Sequence, residues 1–136
     1  MDPVTALGVA ANAFQLAELA AEVFIGVFQY CRNVKGAPAQ AQGLRNELQN
    51  LSVLLDSLKK NLEVSPPSPP RANFLGTPAK ELENLLLHMR DRVKHEKTKG
   101  LQRLMWPFTE KENGKLVAQL QRHKADLILA LNVDQT

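Results

Sequence analysis

Thiols, aromatic rings and early positive charge are all scarce in this chain, and each scarcity excludes something. A single cysteine, Cys31, occurs among 136 residues. No internal disulfide can form, and a reducing cytosolic setting is the default expectation. One Trp and one Tyr leave little surface on which bases can stack, which argues against a single-strand nucleic-acid binder. No Lys or Arg precedes Arg32, and up to Tyr30 the only charged side chains are Asp2, Glu18 and Glu22. The start therefore lacks the basic region of a secretory signal, and Met1-Asp2 excludes the glycine that N-myristoylation requires. Strand-period alternation, internal repeats and a glycine-rich phosphate loop are also missing. The net charge of +3 and hydrophobic content of 44% are those of an ordinary globular chain of one domain, 1–136.

Proline and glycine divide the remainder into helical blocks. Asp2-Pro3 supplies an N-cap followed by proline at the first helical position, where its missing N–H does no harm. A helix is predicted over about 3–34, ended by Lys35-Gly36. Pro38 opens a second helix, 38–63, in which Leu44, Leu48, Leu51, Leu55, Leu58 and Leu62 recur at alternating steps of four and three. Such a seam must pack on another helix. Ser65-Pro66-Pro67-Ser68-Pro69-Pro70 suits only an extended connector, and 64–76 reads as a loop within the domain. Thr77-Pro78 starts a third helix, 78–97, with Leu82, Leu85, Leu86, Met89 and Val93 as its apolar stripe. After a connector holding Leu104, Met105, Trp106 and Phe108, Thr109-Glu110-Lys111-Glu112 forms a capping box. The last helix, 109–131, carries Leu116, Leu120, Leu127 and Leu131 on one face. The expected fold is all-α: an antiparallel four-helix bundle with a short extra helix before the last helix.

The first helix is the unusual one. Pro3 to Ala17 contains no charge, and apolar residues cover most of the circumference. Such a helix is either central to a bundle or able to enter lipid. Alanines at four-residue spacing (Ala6 and Ala10, then Ala13, Ala17 and Ala21) allow close helix approach in either setting. About 30 residues at about 1.5 Å each exceed the roughly 30 Å hydrocarbon core. Glu18 and Glu22 oppose entry, since a carboxylate near the bilayer centre costs about 2.5–3.5 kcal/mol on insertion scales. One helix alone is therefore not expected to insert constitutively. Val9, Phe14, Leu16 and Phe24 are the candidate lipid or oligomer contacts, with Glu18 and Glu22 as restraints on premature insertion.

Arg90, Arg92, Lys94, Lys97, Lys99 and Arg103 cluster near the end of the third helix, diluted by Asp91 and Glu96. They fit either a solvated helix end or a contact with anionic headgroups, worth about 1 kcal/mol per basic residue. Nucleic acid is the weaker partner, because no groove-reading motif accompanies the charge. His88, Asp91 and His95 share a helix face, but no fourth metal ligand is evident. Cys31 lies beside Arg32 yet lacks an orienting group and an oxyanion site, so a structural thiol is expected and no catalytic residue is assigned. No cofactor is expected.

The order of blocks carries a resemblance. Met1-Asp2-Pro3-Val4, the apolar helix, Val34-Lys35-Gly36-Ala37-Pro38, the leucine-rich helix and then Leu101-Gln102-Arg103-Leu104-Met105-Trp106-Pro107-Phe108 together resemble the HeLo-like N-terminal domain of fungal STAND (NLR-type) proteins. Glu112, Leu116, Leu120, Arg122, Lys124 and Leu129-Ala130-Leu131 are similar to that family's last helix. The resemblance implies a bundle like that of the mixed-lineage kinase-like pseudokinase. The implied role is a non-enzymatic, membrane-targeted cell-death effector that moves from cytoplasm to plasma membrane on activation. Its implied partners are further copies of itself, anionic lipids, and downstream nucleotide-binding or amyloid-signalling regions of a parent protein from which this domain is excised. A glycine zipper is not evident: Gly8 and Gly26 are far apart, and alanines hold the small positions. A helical adaptor without membrane activity is the alternative expectation.

Overall fold

Four helices make up the fold in a computed structural model that describes residues 3–33, 38–64, 73–98 and 106–132, with side chains over 13–32, 38–64, 73–94 and 106–131. They are α1 (Pro3–Asn33), α2 (Ala39–Val64), α3 (Thr77–Thr98) and α4 (Glu110–Asn132). No strand occurs among the described residues. The boundaries fall within a residue or two of those expected from caps and periodicity, as helix ends do. The Pro38 carbonyl accepts the Ala41 N–H at 3.0 Å and so starts α2. The capping box closes α4: Thr109 Oγ1 accepts the Glu112 N–H at 3.1 Å, and Glu112 Oε1 accepts the Thr109 N–H at 3.2 Å. The short extra helix expected before α4 falls largely on 101–105, outside the described residues, and Trp106–Thr109 is not helical.

Cross-helix contacts fix the directions. Lys59 near the end of α2 sits over the Phe14 ring in the first half of α1, so α1 and α2 are antiparallel. Asn113 reaches the Gln40 carbonyl while Gln121 and Lys124 reach Glu47, so α4 runs with α2. Glu22 meets Arg90 and Gly26 meets Val93, so α3 runs with α1. Arg122 pairs with Glu81 and Arg92 with Glu112, which makes α3 and α4 antiparallel. Consecutive helices thus alternate in direction. Around the square, however, the order is α1, α2, α4, α3, with α2 and α3 on a diagonal. The proline-rich segment, whose residues 65–72 lie outside the described residues, therefore links two corners that do not touch broadly.

The α2 leucine seam forms the centre: Leu44, Leu48, Leu51, Leu55 and Leu58 are fully buried. It meets Ala13, Leu16, Leu19, Ala20, Val23 and Val27 of α1, Leu82, Leu86 and Met89 of α3, and Leu116, Leu120 and Leu127 of α4 in one core. The small residues that α1 buries most deeply are Ala13 and Ala20, whereas Ala17 is only partly buried. The expected loop 64–76 ends inside the core, because Phe74 and Leu75 are buried and turn the chain into α3. Two polar side chains, Asn113 and His123, also occupy the seam of α4.

Candidate functional site

Within residues 13–32, α1 is two-sided rather than apolar all round. Its inner face is buried, while Gln15, Glu18, Glu22, Ile25, Phe28, Gln29 and Arg32 face outward. Ile25 is 52% exposed and Phe28 40%. Beside this outer face runs a groove of about 490 Å³ between α1 and α3, floored by Ala21, Val23, Gly26 and Val93 and rimmed by Glu18, Glu22, Arg90 and Lys94. The helices approach closely at Gly26, where a Cβ would lie 2.9 Å from Val93 Cγ1. Alanine at Gly26 would gain helix propensity, about 1 kcal/mol. It must also displace a branched side chain, and overpacking costs about 1–3 kcal/mol. We expect Gly26→Ala to be neutral to destabilising by chemical denaturation. Val93→Ala in the same chain should relieve the clash, giving a negative coupling energy in a double-mutant cycle; additivity would show that the approach is not tight.

The groove joins two sets of residues that were expected to serve opposite purposes. Lys94 Nζ lies 3.0 Å from Glu22 Oε1, and Arg90 lies 3.9 Å from Glu22 Oε2. The carboxylate expected to restrain α1 is thus the counter-ion of two of the cations expected to meet lipid. Asp91 also approaches Arg90 at 3.6 Å. Exposed ion pairs contribute about 0–1 kcal/mol, so this pairing orients the two helices more than it holds them.

Arg92 is engaged differently. Its guanidinium donates to the Pro107 carbonyl, bonds Glu112 Oε2 at 3.0 Å and lies over the Phe108 ring at 5.3 Å. Phe108 packs edge-on against Trp106, whose ring lies tilted against Tyr30 of α1 with centroids 4.9 Å apart. Trp106 Nε1 donates to Asn113 Oδ1, and the Asn113 amide donates to the Gln40 carbonyl. The segment Trp106-Pro107-Phe108 therefore fastens all four helices at one end of the bundle. The Thr109 N–H, then Arg92, hold the Glu112 carboxyl below its ordinary range.

The remaining candidates are dispersed. Leu16 is buried, Phe24 is half-buried against Phe28, and Phe14 is half-buried under Lys59. Glu18 is exposed on the groove rim. Val9 lies in α1 and Lys97 in α3, but their side chains, like Lys99 altogether, fall outside the described residues. Burial pushes the Cys31 thiol up, against the pull of Arg45. No group of three or more His, Cys, Asp or Glu side chains able to hold a metal occurs among the described residues. No helix there is long and apolar enough to cross a membrane.

Fold and groove together define an all-helical bundle whose first helix carries an apolar outer patch beside paired charges. Comparison with protein-family models, curated proteins and solved structures returns no match.

Proposed function

We propose that this domain is a non-enzymatic, membrane-targeting effector of the cell-death type, acting through self-association and release of α1 into the bilayer. The observation that carries it is the shared ion pairing of Glu22 with Arg90 and Lys94. Anionic headgroups compete with Glu22 for both cations, so arrival at a membrane removes the counter-ion that orients α1 on α3. Ile25 and Phe28 already face outward next to these residues and supply the first apolar contact with lipid.

Magnitudes decide the order of events. Two cations at an anionic surface contribute about 2 kcal/mol. Uncovering the buried α1 residues Leu16, Leu19, Val23 and Val27 costs about 1.5–3 kcal/mol for each. Headgroups alone therefore dock the closed bundle and do not open it. The apolar face of α1 must be covered again, by acyl chains and by helices of further copies. The sequence resemblance supplies the biological setting, a fungal receptor whose oligomerisation moves the domain from cytoplasm to plasma membrane.

A sedimentation experiment tests this. The full chain should pellet with vesicles of phosphatidylserine and phosphatidylcholine but not with phosphatidylcholine alone. Raised salt should weaken binding, and combined Arg90→Gln and Lys94→Gln should reduce it about thirtyfold, the equivalent of about 2 kcal/mol. Failure to pellet with either vesicle at any concentration would overturn the proposal. One observation favours a soluble adaptor instead: Val53 and Leu129 are 62% and 67% exposed on helices away from the groove. An adaptor forms stable complexes with helical partners and ignores both vesicles.

A further inference from the structure

His123 occupies a position in α4 that its neighbours fill with apolar side chains. It follows Leu120 by three residues and precedes Leu127 by four, and it is 3% exposed. Its Nδ1 is buried and has no hydrogen-bond partner. A neutral imidazole tolerates this place, since it presents an apolar ring edge and one unpaired nitrogen. An imidazolium does not, because both nitrogens then carry N–H groups and a buried charge needs a partner. Among the described residues, the surrounding charges offer none at bonding distance. Glu81 of α3 is engaged by Arg122. Glu47, the α2 carboxylate that meets α4, is held by Lys124 and Gln121. On α4 itself, Arg122 and Asp126 flank the ring with opposite signs.

We propose that His123 is an acid-sensitive lock of the bundle, whose protonation loosens α4 from α2 and α3. Burial first, then Arg122, hold the imidazole below its ordinary value of 6.5, against the pull of Asp126 and Glu81. The unfolded chain then binds a proton more readily than the folded one. The stability contributed by neutral His123 is full above about 6.5 and is lost as pH falls from there through the lowered folded value. The ordinary carboxylate range lies lower, and Glu112, held lower still, stays ionised through this window. The chain has only three histidines, of which His88 is exposed. The lock does not depend on the membrane reading: an acid-labile bundle would serve an adaptor equally.

Thermal unfolding of the full chain at pH 7.5 and pH 5.0 tests it, with binding of an apolar dye followed in parallel. Wild type should lose several degrees of midpoint on acidification and bind more dye. His88→Gln should behave as wild type, whereas His123→Leu should lose less than half as much. Should leucine not fold at that position, His123→Gln, neutral at both pH values, takes its place with the same expectation. The ring of His123, followed by NMR, should titrate below 6.5. Equal acid sensitivity in wild type and the His123 variants, or titration of His123 at or above 6.5, would overturn the proposal.

Discussion

Replacing Leu51 by alanine is expected to lower the free energy of unfolding by about 2–5 kcal/mol, the range for truncating a large core side chain. The site argues for a loss near the upper part of that range. Leu51 is fully buried, midway along the α2 seam, which contacts both α1 and α4. Rigid helices on several sides limit how far the surroundings can collapse into the space left. For a domain of this size the midpoint should fall by on the order of 10 °C. Val53, two residues on and 62% exposed, provides the contrast: Val53→Ala should stay within about 0.5 kcal/mol. Urea denaturation of both variants checks this, and equal losses would mean that α2 does not present the Leu51 face to the core.

That face was legible in the sequence because leucine steps of three and four admit one helical phase. The capping box at Thr109 was equally legible, since its two hydrogen bonds are local. Contacts between distant segments were not. Arg92 reads as one more cation in a basic run, and only the folding back of Trp106-Pro107-Phe108 gives it a carbonyl, a carboxylate and a ring to hold. The proline-rich segment announces a connector but carries no sign of direction, so the diagonal step from α2 to α3 could not be foreseen. His123 was missed for a different reason. It lies in phase with Leu116, Leu120 and Leu127, but a pattern built from apolar letters passes over a histidine. The spacing was the available signal. The first helix was legible in part: its few polar residues, Gln15, Glu18, Glu22 and Gln29, face outward as their chemistry requires, but packing at one corner of the square leaves the apolar Ile25 and Phe28 outside as well. Leu16, expected as a lipid or oligomer contact, reaches either only after α1 leaves the bundle.

Membrane disruption should depend on that departure, and the close approach at Gly26 provides a way to forbid it. A Cβ at position 26 would lie 4.0 Å from the Val93 Cβ, inside the spacing of about 3.5–4.5 Å that a disulfide spans. Gly26→Cys with Val93→Cys, in a chain also carrying Cys31→Ser, should therefore oxidise to a bond that ties α1 to α3. The cysteine replacing Val93 also removes the branched methyl that would crowd position 26. Arg90 and Lys94 remain, so the oxidised protein should still dock on anionic vesicles. What it cannot do is separate α1 from α3, and docking should be uncoupled from permeabilisation.

The direct measurement is dye release from phosphatidylserine-containing vesicles by this variant before and after reduction. Held by the disulfide, the protein should release dye at least tenfold more slowly than the reduced form at equal vesicle binding, with reductant restoring the rate. Equal release from the oxidised and reduced forms would contradict the account, because α1 would then not have to leave α3 for the bilayer to fail.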